Sequence, residues 1–175
     1  LFGHTLKHAS AAVREELFPA MMTGDVIGSF ATSEPAASTD LSLRALQTEA
    51  KRVEGGYELS GQKRWITNSP VADYMFVLSK FEDGMTMLLV DMNTDGVRVG
   101  EPDKKMGNHC QLTADIVFDR VLVPAGHLVG REGQGLKAAL TSLTLGRVSI
   151  GACGVGMAQA AFDYAVDYMK EREVF

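Results

Sequence analysis

The sequence predicts an α+β protein in which a β-barrel middle domain lies between an N-terminal helix and a long C-terminal helix. Two observations support this prediction. Short segments rich in β-branched and aromatic residues alternate with turn signals in the middle of the chain, the pattern of an all-β barrel or sandwich. Apolar residues then recur at helical spacing almost to the last residue. We place the three regions at residues 1–25, 26–130 and 131–175.

The N-terminal region is predicted to be helical from residue 1 to about residue 22. It holds one proline and no glycine beyond Gly3, so little in it interrupts a helix. Its apolar positions are Leu6, Val13, Leu17 and Phe18. The Thr23-Gly24-Asp25 turn is the predicted end of the helix.

The middle region divides at turn residues into short strands. The polar turn Glu82-Asp83-Gly84 separates two apolar runs, which predicts a hairpin, and Gly55-Gly56 precedes another strand. The predicted strands are Tyr57–Gly61, Tyr74–Leu78, Met85–Val90, Val97–Val99 and Ile116–Val123.

The C-terminal region begins with a glycine-rich hinge at residues 130–135 and continues as a helix. At about 1.5 Å per residue this helix is about 50 Å long, more than the preceding domain needs. Its apolar stripe consists of Leu136, Leu140, Leu143, Ile150, Met157, Ala161, Tyr164 and Tyr168. We expect the stripe to pack against helices that this chain does not contain.

Arg147 lies on that stripe, between Leu143 and Ile150. A buried guanidinium needs an anionic partner, which leaves two interpretations: an ion pair with a neighbouring helix, or an arginine that lines an anionic ligand site. Glycine costs roughly 1 kcal/mol relative to alanine inside a helix and is tolerated where a backbone or ligand comes close. We assign Gly146 to a ligand, and helix–helix contact to Gly151, Gly154 and Gly156.

Composition excludes several classes of function. The chain has 17 Lys and Arg against 22 Asp and Glu, a net charge of −5, which argues against nucleic acid as a partner. No run approaches the roughly 18 uninterrupted apolar residues of a membrane span. Two cysteines, Cys110 and Cys153, fit a reducing compartment and have no paired-thiol spacing. Apart from the i,i+4 pair His4/His8, which has no third ligand, the four histidines lack metal-ligand spacing. No glycine pattern follows a strand as a Rossmann site requires.

Two segments of the middle region could hold a flat polar ring. The loop Phe30–Asp40 leaves a strand and is rich in small and hydroxyl residues, although most such loops are structural. In the second segment, alternation along a strand places Trp65 and Thr67 on one face and Ile66 on the other. An indole beside a hydroxyl suits a heteroaromatic ring, and a core tryptophan with a satisfied threonine is the alternative interpretation.

Taken in order, these motifs resemble the acyl-CoA dehydrogenase family of FAD flavoproteins. The resemblance runs from about Leu17 to Phe175. It rests on Ser33-Glu34-Pro35, the segment 59–68 with Gly61-x-Lys63-x-Trp65-Ile66-Thr67-Asn68, Lys105-Met106-Gly107, the segments 117–124 and 130–135, Gly146-Arg147, and Glu171-Arg172-x-x-Phe175. It implies the last helix of an N-terminal helical domain, a whole middle β-barrel and the first long helix of a C-terminal four-helix bundle. We therefore expect a piece of a longer protein, an expectation that the first residue, Leu1, and the charged last residues also favour.

The resemblance also implies site residues. The flavin and acyl-CoA loop would contain Phe30, Thr32, Ser33 and Thr39, with Ser33 on the pyrimidine side of the ring and Thr39 at the CoA portion. Trp65, Ile66 and Thr67 would pack against the ring, with the Thr67 hydroxyl near the hydride-accepting nitrogen. Leu143, Thr144 and Arg147 would line the acyl-CoA pocket. Arg172 and Phe175 would reach the FAD of a neighbouring subunit, which implies a homo-oligomer, usually a tetramer.

The sequence departs from the family pattern in its loop and its catalytic base. The usual Glu-Pro-Gly-Ala-Gly-Ser-Asp loop is replaced by residues 34–40, which contain no glycine, and His109 stands where many members have arginine. Desaturation needs a carboxylate to remove the α-proton. Gly146 occupies the position that a minority of members use for this base, so we expect the base beyond Phe175 and an inactive isolated piece.

The resemblance predicts α,β-desaturation of an acyl-CoA thioester, as in fatty-acid β-oxidation, with electrons passed to an electron-transfer flavoprotein. The alternatives are a flavin-dependent monooxygenase or nitroalkane oxidase of the same fold, or a non-catalytic binding module. No targeting segment is visible, so we expect a cytoplasmic protein in a bacterium or a mitochondrial-matrix protein in a eukaryote.

Overall fold

The computed structural model describes all 175 residues and confirms a β-rich middle between helical ends. Its helices are α1 (Phe2–Leu6), α2 (Ala11–Thr23) and α3 (Gly135–Glu171). Its strands are β1 (Gly28–Ala31), β2 (Glu49–Val53), β3 (Gly56–Thr67), β4 (Tyr74–Phe81), β5 (Gly84–Asp91), β6 (Val97–Val99) and β7 (Thr113–Pro124), and 3₁₀ turns cover Ser69–Val71 and Ala125–His127. The chain divides into two units, Leu1–Ser142 and Leu143–Phe175.

The seven strands form one mixed sheet with the order β1-β4-β2-β3-β7-β6, and β5 pairs with β4. The hairpin predicted around Glu82–Gly84 is confirmed as β4 and β5. Two pairings are parallel: β1 runs beside residues 74–77 of β4, and β2 meets β4 at Glu49 and Lys80. β1 and β2 therefore contact successive parts of β4. As a result, the segment that follows β1 lies beside the second half of β3.

The core consists of two apolar clusters, one on each face of β4 and β5. Met75 and Val77 belong to one cluster, and Phe76 and Leu78 belong to the other. A strand that is buried on both faces needs a continuous apolar run, which β4 has. Helices α1 and α2 cover the second cluster, where the ring centroids of Phe2 and Phe76 lie 4.7 Å apart.

The N-terminal region contains two helices where the sequence indicates one. The chain leaves helical geometry between Lys7 and Ser10, and α2 begins with the Ser10 side chain accepting a hydrogen bond from the N–H of Val13. Serine competes with the helix for backbone groups and is therefore favoured at such a start. The predicted end is confirmed, since Gly24 caps α2 in the left-handed conformation.

Helix α3 exposes most of its predicted apolar stripe. Ile150, Met157, Tyr164 and Tyr168 are exposed, whereas Leu136 is partly buried. By length and composition alone α3 could cross a bilayer, which is weak evidence because a bundle helix has the same composition. The absence of a membrane span and the packing of this stripe on further helices both stay predictions.

Candidate functional site

The end of β3 carries an exposed indole and hydroxyl. Trp65 is 53% exposed and Thr67 is also exposed, whereas Ile66 is 3% exposed and lies in the core. The predicted alternation of these three residues is confirmed, and the interpretation of Trp65 as a core residue is wrong. Trp65 has a φ of +57°, and the pairing of β3 with β7 shifts between Lys63 and Ile66, which marks a β-bulge.

The segment that follows β1 lies directly beside this part of β3. The Ser29 hydroxyl donates to the Thr67 carbonyl at 2.7 Å, and the Arg64 N–H donates to the Ser33 carbonyl at 2.9 Å. These two bonds bring together the predicted site segments Phe30–Ser33 and Trp65–Thr67. The sequence predicts each segment separately, and the structure shows that they are neighbours.

A buried ion pair anchors the same loop. Lys63 and Glu34 have side chains that are 0% and 1% exposed, and Lys63 Nζ lies 2.8 Å from Glu34 Oε1. The Glu34 carboxylate also accepts the backbone N–H groups of Gln47 at 2.6 Å and Thr48 at 3.0 Å, and Lys63 Nζ also donates to the Thr32 carbonyl at 3.3 Å. Both charged residues lie in sequence motifs, but no local pattern indicates that they contact each other.

The charges of this pair depend on each other. Burial lowers the pKa of Lys63 to about 8, although the Glu34 carboxylate opposes that shift. Burial alone would raise the pKa of Glu34, but the Lys63 ammonium and the donors at Thr48 and Gln47 hold it below its usual value. Both groups are therefore charged at neutral pH, and each satisfies the other where water is excluded.

Acid is expected to remove this stabilisation. The pKa of Glu34 is depressed from its ordinary value of 4.5, so its contribution is fully present above that pH and is lost as the pH falls through its folded value. Urea unfolding at a series of pH values from neutral to about 3 measures the loss. The double variant Glu34→Gln/Lys63→Met lacks this titration, so its stability should fall less steeply below pH 4.5. Equal slopes for the two proteins would contradict the expectation.

The loop keeps a left-handed turn without glycine. Ser38 has a φ of +52°, the only positive φ among residues 34–40, while Ala36 and Ala37 keep negative values. Glu34 and Ser38 exchange backbone hydrogen bonds of 3.2 and 2.7 Å across the turn. Ser38 stands where the family pattern has its second glycine. A serine therefore adopts the left-handed conformation here, at a cost of about 1–2 kcal/mol. Thr39 follows the turn and is exposed.

The Thr67 hydroxyl has a partner that sequence reasoning missed. Gln111 Nε2 donates to Thr67 Oγ1 at 2.9 Å, and no further hydrogen bond of this hydroxyl is formed within the chain. An acceptor role leaves the hydroxyl proton available for another acceptor. Gln111 precedes β7 in an exposed loop and shows no sequence signal of this contact.

The strand opposite the bulge contributes a carboxylate. Asp115 Oδ1 accepts the Trp65 N–H at 3.1 Å, and Asp115 Oδ2 lies 3.7 Å from Arg64 Nε. The Arg64 guanidinium lies 5.0 Å from the centroid of the Trp65 ring. No sequence signal indicates this role of Asp115, because it precedes the predicted strand Ile116–Val123 and a single aspartate does not reveal its partners.

The remaining predicted site residues lie on the second unit. Leu143 is half-buried, and Thr144 and Arg147 are exposed. Arg147 Nη1 lies 3.5 Å from Thr144 Oγ1, and Arg147 has no ion pair in this chain. Arg147 is exposed together with the surrounding stripe, and its predicted ligand role stays a prediction.

The end of α3 is also exposed. Arg172 Nη1 donates to the Tyr168 hydroxyl at 3.0 Å, and Phe175 has no covering side chain. A Cβ at Gly151, Gly154 or Gly156 would meet no atom within 4 Å, so the predicted helix–helix contacts are not made in this chain. The ligand roles of these residues stay predictions.

A groove of about 570 Å³ lies on another side of the loop. Its walls include Pro35, Gln62, Arg98 and Asp119. It contains none of the predicted site residues, and Arg98 and Asp119 pair with each other at 3.2 Å. The uncovered surface formed by Trp65 and Thr67 matches the predicted chemistry better than this groove does.

Comparison with known proteins identifies two family models along the chain. The acyl-CoA dehydrogenase middle domain matches residues 29–121, and the acyl-CoA dehydrogenase C-terminal domain matches residues 133–175. The first match alone covers more than half of the chain.

Individual relatives agree with these matches. The chain is 36% identical to an acyl-CoA dehydrogenase of Bacillus subtilis, covering 90% of this chain and 42% of that protein. Its fold is similar to a chain in the structure of an electron transferring flavoprotein of Acidaminococcus fermentans, with a TM-score of 0.93, 32% identity, and coverage of 100% and 47%. A glutaryl-CoA dehydrogenase of Mycobacterium smegmatis in complex with FADH2 gives a TM-score of 0.91, 30% identity, and coverage of 98% and 44%. The chain thus spans less than half the length of these relatives.

Proposed function

This chain belongs to the acyl-CoA dehydrogenase family, and from that premise we propose that it forms the flavin-binding part of an FAD-dependent acyl-CoA dehydrogenase. The reaction would be the α,β-desaturation of an acyl-CoA thioester. The observation that carries the proposal is the exposed Trp65–Thr67 surface, held beside the loop that follows β1 by the two hydrogen bonds from Ser29 and Arg64.

The residues present fit a flavin ring. Trp65 is 53% exposed, and its exposed indole can stack against a planar ring. The Thr67 hydroxyl accepts from Gln111 and keeps its proton for a ring acceptor. The glutaryl-CoA dehydrogenase of similar fold is described with FADH2, which supports FAD as the cofactor of this chain.

Bound FAD would supply the hydride acceptor of the desaturation. The protein residues have other tasks in this proposal. Trp65 would orient the ring by packing, Thr67 would donate a hydrogen bond to it, and Ser33 would bind its pyrimidine side. Phe30 and Thr32 would contribute through the same loop, and Thr39 would contact the CoA portion. Leu143, Thr144 and Arg147 would line the acyl-CoA pocket.

No carboxylate among residues 1–175 is proposed as the base that removes the α-proton. Glu132 accepts a hydrogen bond from the Tyr57 hydroxyl at 2.6 Å and pairs with Arg52. Burial, together with this hydrogen bond, raises the pKa of Tyr57 to about 12. Asp163 accepts from Gln159, and Asp167 pairs with Lys170. Because these carboxylates serve structural contacts, we propose that the chain alone does not turn over acyl-CoA.

Two partner proposals accompany this function. Arg172 and Phe175 would contact the FAD of a neighbouring subunit in a homo-oligomer. An electron-transfer flavoprotein would accept the electrons, and the similarity to a chain from such a structure in Acidaminococcus fermentans supports this choice.

Anaerobic addition of an acyl-CoA is expected to bleach the visible flavin absorbance of the protein expressed from the complete reading frame that contains these residues. Thr67→Val should slow this bleaching by about tenfold, the effect of one hydrogen bond of about 1.4 kcal/mol in the transition state. Leu122→Ala, an exposed apolar position of β7 away from the site, should react like the parent protein. If no acyl-CoA bleaches the flavin but a nitroalkane does, or oxygen consumption with reduced flavin is the productive reaction, the dehydrogenase proposal fails.

A further inference from the structure

We propose that Asp115 is a positioning residue for flavin binding, because its carboxylate holds Trp65 in the conformation that turns the indole outward. The part of this inference that concerns flavin binding rests on the proposed function. Its structural content, an aspartate that stabilises a strained tryptophan, stands on contacts within this chain.

Trp65 adopts a backbone conformation that a bulky residue rarely takes. Its φ of +57° lies in the left-handed region, at a cost of about 1–2 kcal/mol for a residue with a Cβ. Such strain persists only where the surrounding structure compensates for it. Other groups must therefore hold Trp65 in place.

The β-bulge places Asp115 opposite Trp65. Lys63 pairs with Ile116 and Ile66 pairs with Ala114, so two residues of β3, Arg64 and Trp65, lie opposite the single residue Asp115. The extra residue of a bulge loses its regular partner in the ladder. Here the N–H of Trp65 donates instead to the Asp115 side chain at 3.1 Å.

The same carboxylate also orients Arg64. Asp115 Oδ2 lies 3.7 Å from Arg64 Nε, a nitrogen that is buried and has no hydrogen-bond partner in the chain. The Arg64 guanidinium lies 5.0 Å from the centroid of the indole, within the range of a cation–π contact. Asp115 therefore acts on Trp65 twice, through its backbone N–H and through the cation beside its ring.

A surface ion pair is the competing explanation. Exposed pairs contribute about 0–1 kcal/mol, and the side chains of Arg64 and Asp115 are 43% and 33% exposed. Such a pair would leave the conformation of Trp65 unchanged when it is removed. Asp119 is a matched control, because it also lies on β7 and pairs with Arg98 at 3.2 Å, but does not contact Trp65.

The test uses the 175-residue protein, in which Trp65 is the sole tryptophan and therefore the only source of tryptophan fluorescence. Asp115→Val removes the acceptor and keeps a residue that favours strands, whereas Asp115→Asn keeps an acceptor without the charge. Emission maximum and quenching by acrylamide are measured without cofactor, and FAD affinity is measured by quenching of the same fluorescence. Circular dichroism confirms the fold of each variant.

We expect Asp115→Val to shift the emission of Trp65, change its quenching and weaken FAD binding by about fivefold, the effect of one lost hydrogen bond. Asp115→Asn should stay within about twofold of the parent, as an amide oxygen can still accept the N–H. Asp119→Ala should match the parent. Unchanged emission and quenching in Asp115→Val, an equal effect of Asp119→Ala, or an Asn variant as affected as the Val variant would overturn the inference. Absence of FAD binding by the protein expressed from the complete reading frame would overturn the proposed function, and the fluorescence of the 175-residue protein without cofactor still decides the role of Asp115.

Discussion

Replacement of Glu34 by glutamine is expected to lower the free energy of unfolding by about 3–5 kcal/mol, because it leaves the buried ammonium of Lys63 without its counter-charge. Lys63 is 0% exposed, and its other partner is the Thr32 carbonyl at 3.3 Å. A glutamine has nearly the same size, so the loss comes from charge rather than from a cavity. A domain with a total stability of about 5–15 kcal/mol would lose a large part of it.

The matched variants separate the charge from the rest of the contact. Lys63→Met should cost less than Glu34→Gln, since the remaining carboxylate keeps the N–H groups of Gln47 and Thr48. The double variant should recover much of the loss, because an uncharged glutamine–methionine pair of similar volume leaves no buried unpaired charge. Urea unfolding followed by circular dichroism measures all three. A double variant as unstable as Glu34→Gln would contradict the proposed cause.

The ion pair also links stability to the site. Glu34 follows Ser33, and Lys63 precedes Arg64, whose N–H bonds the Ser33 carbonyl at 2.9 Å. Loss of the pair would therefore release the loop at the point where it contacts β3. We infer that the buried charges hold the candidate flavin loop in register with Trp65.

Sequence reasoning works where the determinants are local. The β4–β5 hairpin follows from an apolar run on each side of a polar turn, and the outward direction of Trp65 and Thr67 relative to Ile66 follows from alternation. Alternation alone fails two residues before Trp65. Lys63 has the same parity as Trp65 and yet is buried, because the bulge at residues 64 and 65 shifts the faces of the strand by one.

Features set by distant residues were not predictable from local pattern. The parallel pairing of β1 with β4 joins segments separated by the loop, β2 and β3, so no turn signal announces it. Asp115 reaches the site because β7 pairs with β3, and Gln111 reaches it from the loop that precedes β7. Arg147 differs in kind, because its predicted burial requires neighbours that this chain does not supply.

Gly135→Ala is the second substitution with a large expected effect. Gly135 is the first residue of α3 and is buried against β5. A Cβ at this position would lie 2.4 Å from the carbonyl carbon of Thr86 and 2.7 Å from the nitrogen of Met87. Both atoms belong to the backbone of a strand whose side chains are buried on both faces, so they cannot move aside without disturbing the core.

The expected loss for Gly135→Ala is about 1–3 kcal/mol, the usual cost of forcing extra atoms into a packed interior. Gly151→Ala is its control in the same helix, since a Cβ there meets nothing within 4 Å. That control should gain about 0.5–1 kcal/mol of helix stability by removing the flexibility of glycine. Urea unfolding measures the first change, and helical circular dichroism measures the second. The two substitutions add the same methyl group to one helix. Opposite signs of their stability changes would show that close backbone contact, and not helix propensity, requires glycine at residue 135. A stabilising Gly135→Ala would refute that contact.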